Sequence, residues 1–107
     1  MAANDNVVYP AILHYAEDGI SIIFPDLPGC CPCAHTTQIA LKNAKEAMGL
    51  HLWGMEQDDE EFPDPTPIEK LTFGKNEIPI LIEAFMPVVR YHLSNKFVKL
   101  TTTTVLS

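Results

Sequence analysis

From Val7 to Phe24 the chain reads as two strands: a nearly continuous apolar run to Tyr15, then the alternating stretch Gly19-Ile20-Ser21-Ile22-Ile23, the period expected of a strand with one covered face. Val7 to Tyr15 carries Val, Tyr, Ile and Leu around Pro10, which suits a strand that tolerates an edge. Glu17-Asp18-Gly19 supplies a tight turn with glycine where a positive φ is needed, and Ile20 to Phe24 returns as the second arm of a hairpin. Cys30 to His35, between a proline loop and a helix start, predicts a short third strand. Together these segments predict a three-stranded antiparallel meander.

At Gln38 the period lengthens. Thr36 or Thr37 is a natural N-cap, and the proline-free run to about Gln57 predicts one long helix. Leu41, Ala44, Met48, Leu52 and Met55 recur at steps of three and four and form the stripe expected to cover one sheet face. By the same spacing Trp53 and Met55 are assigned to packing rather than to a partner groove. Gly49 costs about 1 kcal/mol against alanine in a helix interior, so it marks a close approach or a weak point.

Charge repulsion and proline geometry oppose regular structure through Asp58-Asp59-Glu60-Glu61 and Phe62-Pro63-Asp64-Pro65-Thr66-Pro67, which predicts an exposed, extended loop. Ile78 to Met86 predicts a fourth strand, joined to the third by a crossover that is right-handed if the two are parallel. Pro87 suits a helix start, with a short C-terminal helix through Ser94. Phe97 to Val105, rich in Thr and Val, predicts a terminal ribbon strand. The fold class is α+β: the meander and a fourth strand, with one long helix packed on one face.

The connection Phe24-Pro25-Asp26-Leu27-Pro28-Gly29-Cys30 is too constrained to be filler. Pro25 and Pro28 each fix φ and remove a donor, and Gly29 permits positive φ. The expectation is a rigid loop that holds Asp26 and Leu27 outward.

Composition narrows the function classes. The 107 residues make one domain, and 14 acids against 7 bases give a net charge of −7, which excludes a nucleic-acid surface spread over the whole protein. Residues 1–87 hold all 14 acids and four lysines, a net −10, whereas residues 88–107 hold Arg90, Lys96 and Lys99 and no acid, a net +3. An acidic body suits a basic protein partner, and a basic tail suggests a second task. No apolar run approaches the roughly 20 residues that span a bilayer, and no basic-apolar leader opens the sequence, so a cytoplasmic protein with no membrane partner is expected. The clustered Cys30, Cys31 and Cys33 fit a reduced compartment.

On a strand, Cys31, Cys33 and His35 share one side, and a fourth ligand from His14, His51 or His92 would complete a zinc site. The paired CxxC spacing of such sites is absent, so the cysteines are assigned to packing and surface. The four consecutive carboxylates lack the spaced ligands of a calcium loop. No phosphate loop, serine elbow or convergent acid-base group points to an enzyme, and no catalytic residue, metal or cofactor is expected.

The order of elements resembles the HicB family of bacterial antitoxins. The resemblance rests on Tyr9-Pro10-Ala11-Ile12, Glu17-Asp18-Gly19, Phe24-Pro25-Asp26-Leu27-Pro28-Gly29-Cys30, and Ala40-Leu41-Lys42-Asn43-Ala44-Lys45-Glu46-Ala47. Over residues 7–87 it implies a partial RNase H-like β-β-β-α-β domain. It also implies an antitoxin-like binding module that neutralises a small basic, mRNA-cleaving HicA-type toxin by occluding its RNA-binding surface. Asp26, Leu27, Asp58, Asp59, Glu60 and Glu61 are the candidate partner contacts. Family members usually continue into a ribbon-helix-helix or helix-turn-helix DNA-binding module. Here residues 88–107 resemble a remnant of the ribbon-helix-helix type, a basic tail with a ribbon strand but no following helices. That departure argues against DNA binding and suggests a homo-oligomer formed through the C-terminal strand. Two alternatives stay open: a metal-binding or nuclease-like RNase H-fold protein, and an orphan oligomeric domain without a toxin.

Overall fold

Strand β1 (Asn6–Ala16) runs through the middle of the sheet, hydrogen-bonded on one side to β2 (Gly19–Ile23) and on the other to β4 (Glu77–Phe85). β3 (Cys33–Ala34) pairs with β2, so the order is β3-β2-β1-β4 with every neighbour antiparallel. The computed structural model describes residues 5–94. The expected ribbon strand at Phe97 to Val105 lies outside the described residues.

The ladder ends where prolines forbid it. The bond from Tyr15 N to Asn76 O fixes the phase of the β1–β4 pair, so odd residues of β1 bond toward β4 and even residues toward β2. Ile12 pairs with Ile23, and the next bonded pair in that register would be Pro10 with Pro25. Neither has an N–H to donate, so β2 stops at Ile23 and Pro10 is tolerated in a central strand.

The long helix α1 (Thr37–Gln57) covers one face. Its N-cap is Thr36, whose hydroxyl accepts from the Ile39 N–H at 3.2 Å. The buried stripe is Ala40, Ala44, Met48, Gly49 and Leu52; Ala44, Met48 and Leu52 are as expected, Met55 packs partly buried against the core, and Ala40 takes the place expected for Leu41. Leu41 is 42% exposed, while the small Ala40 takes the inward position and lets the helix lie close on the sheet. Opposite the stripe are Tyr9, Ala11, Leu13, Ile20, Ile22, Ile82 and Ala84, all buried. The alternation of β1, β2 and β4 puts these on one face.

The expected crossover handedness does not apply, because β3 and β4 are antiparallel and lie at opposite edges. The chain instead passes from α1 through residues 58–76, which include a single 3-10 turn at Ile68–Lys70 lying against β4.

A second helix, α2, spans residues 86–94. Pro87 falls in its first turn, where a missing N–H is harmless. A Cβ on Gly49 would lie 3.2 Å from Val89 Cγ2, so glycine there lets α2 press onto α1. Arg90 locks the contact with a bidentate grip on Glu56, Nη2 to Oε2 at 2.6 Å and Nε to Oε1 at 3.0 Å, and a bond from Nη1 to Asp5 Oδ1 at 3.3 Å. The Glu56 carboxylate, more than Asp5, holds the guanidinium well above its ordinary range. The first cation of the basic tail is thus engaged with the acidic body.

Candidate functional site

Phe24 to Cys30 folds as two consecutive β-turns that share Leu27. Leu27 N donates to Phe24 O at 3.0 Å and Cys30 N to Leu27 O at 3.1 Å, with Pro25 and Pro28 each second in their turn. Gly29, third in the second turn, has φ 90°, as a type II turn requires. The turn ends, Phe24, the shared Leu27 and Cys30, are buried, and Pro25, Pro28 and Gly29 stay at the surface. Leu27 is therefore not held outward: it is 1% exposed and sits in the hydrophobic core. The threefold spacing of apolar residues between prolines was the signal for this.

Asp26 remains half-exposed, but its carboxylate is occupied. Oδ2 accepts from the Thr66 N–H at 2.8 Å and Oδ1 from the Thr66 hydroxyl at 2.6 Å. The Tyr9 hydroxyl donates to Pro63 O, tying the same segment to β1. Burial raises the Tyr9 pKa first, with the Asp26 and Asp64 carboxylates adding to it. Residues 62–66 are thereby moored rather than free, while the acidic run before them, Asp58 to Glu61, stays exposed as expected.

The run itself terminates α1. Asp59 N donates to Glu56 O and Glu60 N to Met55 O, the two bonds of a Schellman motif, with Asp59 at φ 56° in the position that usually takes glycine. Asp58, Asp59 and Glu60 thus crowd carboxylates against the negative end of the helix dipole, where cations are favoured. Both features are locally unfavourable.

These elements enclose a groove of ≈ 650 Å³ lined by Asp26, Leu27, Pro28, Leu50, His51, Gly54, Met55, Asp58, Glu60, Glu61 and Pro63. Five of the six expected contact residues meet there, and Asp59 lies outside it, beside Glu60 and Glu61 on the neighbouring surface. Leu50, 53% exposed, Met55 and the two prolines give the acidic rim an apolar floor. Sequence reasoning missed Leu50 and His51. Leu50 sits off the buried helical stripe, and exposed apolar residues are common on this surface, so no sequence signal singled it out.

The cysteine cluster does not assemble a metal site. β3 shrinks to Cys33–Ala34, so the alternation that would align Cys31, Cys33 and His35 is not carried by a continuous strand. Cys30 turns into the core, Cys31 and Cys33 are exposed, and among the described residues no group of three His, Cys, Asp or Glu side chains is placed to hold a metal ion. Burial, and less so Cys31, pushes the Cys30 thiol up to about 11. No helix among the described residues is long and apolar enough to cross a membrane.

A family profile described as HicB_like antitoxin of bacterial toxin-antitoxin system matches residues 9–105. An uncharacterized 14.9 kDa protein in the rep-hol intergenic region of Haemophilus phage HP1 (strain HP1c1) is 36% identical over 97 residues, 91% of this chain and 72% of that protein. The fold matches a chain of a HicA3 and HicB3 toxin-antitoxin complex at TM-score 0.61 and 23% identity, over 73% of this chain and 98% of that one. It matches a chain of a toxin-antitoxin complex from Streptococcus pneumoniae at TM-score 0.69 and 18% identity, over 77% and 71%. The N-terminal domain of Burkholderia pseudomallei antitoxin HicB matches at TM-score 0.60 and 21% identity, over 71% and 95%. At these identities the structural likeness is one of fold.

Proposed function

The chain belongs to the HicB_like antitoxin family, and from that premise we propose that it neutralises a small basic HicA-type, mRNA-cleaving toxin by docking it on the acidic groove. The carrying observation is the convergence of Asp26, Asp58, Glu60 and Glu61 over an apolar floor. Carboxylates at a helix C-terminus cost stability locally, and a basic ligand placed there offsets that cost. A toxin surface built to hold RNA phosphates presents Lys and Arg, which the rim would pair while the floor takes apolar contacts. Covering that surface excludes RNA, and the mode of action is binding rather than catalysis.

The test is a search for a small basic reading frame beside this gene, followed by co-expression with it, read by pull-down and by growth rescue. A triple reversal of Asp58, Glu60 and Glu61 to lysine should slow capture at least tenfold at low salt and abolish rescue, with the fold intact by circular dichroism. Undiminished capture by that variant would exclude the groove, and failure of the parent protein in both assays would exclude the toxin.

A further inference from the structure

β4 ends the sheet with a long open edge. Its even residues bond to β1, so Glu77, Pro79, Leu81, Glu83 and Phe85 turn their backbone groups outward. The Glu77 N–H is taken by Gly74 O at 3.3 Å, and among the described residues no other backbone hydrogen bond reaches these outward groups. Natural edges are blunted by charged side chains, proline, bulges or short length; this one runs nine residues and has Glu77, Pro79 and Glu83 for that purpose but no lysine, which leaves the Ile80 to Ile82 centre apolar. The side chains of Leu81 and Phe85 are 57% and 51% exposed along it.

We propose that β4 pairs antiparallel with β4 of a second copy of this chain about a twofold axis at Leu81, giving one continuous eight-stranded sheet. Only odd residues can form the bonded pairs, which leaves a few registers. An axis at Ile80 sets Glu77 against Glu83 twice, opposing like charges. An axis at Ile82 shortens the overlap and runs into Pro87. The axis at Leu81 uses all nine residues and sets Glu77 opposite Phe85, Pro79 opposite Glu83 and Leu81 opposite its own copy. On the α1 side Ile80 meets Ile82 and Ile78 meets Ala84, so no charge opposes its like. Pro79 loses only its own donation and still accepts from Glu83. Such a twofold pairing is self-complementary and closed. It also leaves the acidic groove free, since no groove residue belongs to β4.

Full-length protein is measured by sedimentation velocity beside Leu81→Lys. The parent should associate and Leu81→Lys should halve its mass, weakening self-association at least tenfold without lowering the melting temperature or toxin capture. Register is read in a C31S/C33S background, where mild oxidation should cross-link L81C, whose partner Cα atoms lie about 5.5 Å apart in a bonded pair, and leave E83C monomeric on a denaturing gel. A monomeric parent at 100 µM, an unchanged mass for Leu81→Lys, or equal cross-linking of L81C and E83C overturns the proposal. Loss of toxin capture in Leu81→Lys would reassign the edge to the toxin.

Discussion

Asp26 grips Thr66 through both carboxylate oxygens, 2.8 Å to the backbone N–H and 2.6 Å to the hydroxyl, and so joins two loops forty residues apart. One loop is the double turn that leaves β2, and the other is the descent from the acidic end of α1. Their junction shapes the groove, so a contact that uses up a candidate binding carboxylate also positions the remaining ones.

Removing that grip should therefore act on the whole segment. Asp26→Ala is expected to cost about 1–3 kcal/mol, since it leaves the Thr66 N–H without its charged acceptor. A double-mutant cycle with Thr66→Val measures the coupling, which should exceed 0.5 kcal/mol. Hydrogen exchange should rise at residues 62–67 in Asp26→Ala.

Asp59 occupies the glycine position of the helix cap, at φ 56°. Asp59→Gly relieves the left-handed penalty and removes a carboxylate from the negative helix end, so a gain of up to about 1 kcal/mol in urea denaturation is expected. An equal or lower stability would mean that the native side chain makes a compensating contact.

At Gly49 the sign depends on Val89. Alanine favours the helix by about 1 kcal/mol, but its Cβ would stand 3.2 Å from Val89 Cγ2. Gly49→Ala should be near neutral alone and stabilising by up to about 1 kcal/mol in a Val89→Ala background. A bulky Gly49→Leu should instead detach α2, read as loss of the Arg90–Glu56 coupling.

Glu77 sets an acid limit. The N–H of Gly74 donates to Oε1 at 2.6 Å and His14 Nδ1 lies 3.1 Å from Oε2. The backbone bond, then His14, holds the carboxyl below its ordinary 4.5. A folded-state pKa below the unfolded one contributes stability that is full above the ordinary value and lost as pH falls through the lowered one. Carboxyl-carbon NMR should show Glu77 titrating below 4.5, and Glu77→Gln should flatten the decline of the melting temperature below that pH.

The three thiols should separate by burial. At pH 8 Cys31 and Cys33 are expected to react promptly with a disulfide reagent, whereas Cys30, buried with its pKa pushed up to about 11, waits for unfolding. Three equal rates would place Cys30 at the surface.

Local chemistry determined much of this protein from the sequence. The apolar run from Val7 to Tyr15, the alternation from Gly19 to Ile23, the Thr36 cap, the helix to Gln57 and the apolar run into Met86 each depend on neighbours within a few residues, and all appear in the structure near their expected bounds. Charge segregation pointed to a basic partner for the same reason, because composition needs no fold. Tertiary structure alone decided which side of each element mattered. Ala40 rather than Leu41 faces the sheet because a small residue permits closer helix packing. Leu27 turns inward because the two proline turns bring it over the core, and Asp26 meets Thr66 only after α1 has carried the chain back. A groove rimmed by residues 26, 58, 60 and 61 exists by that return, since contact across forty residues is set by the packing of elements and not by the order of side chains.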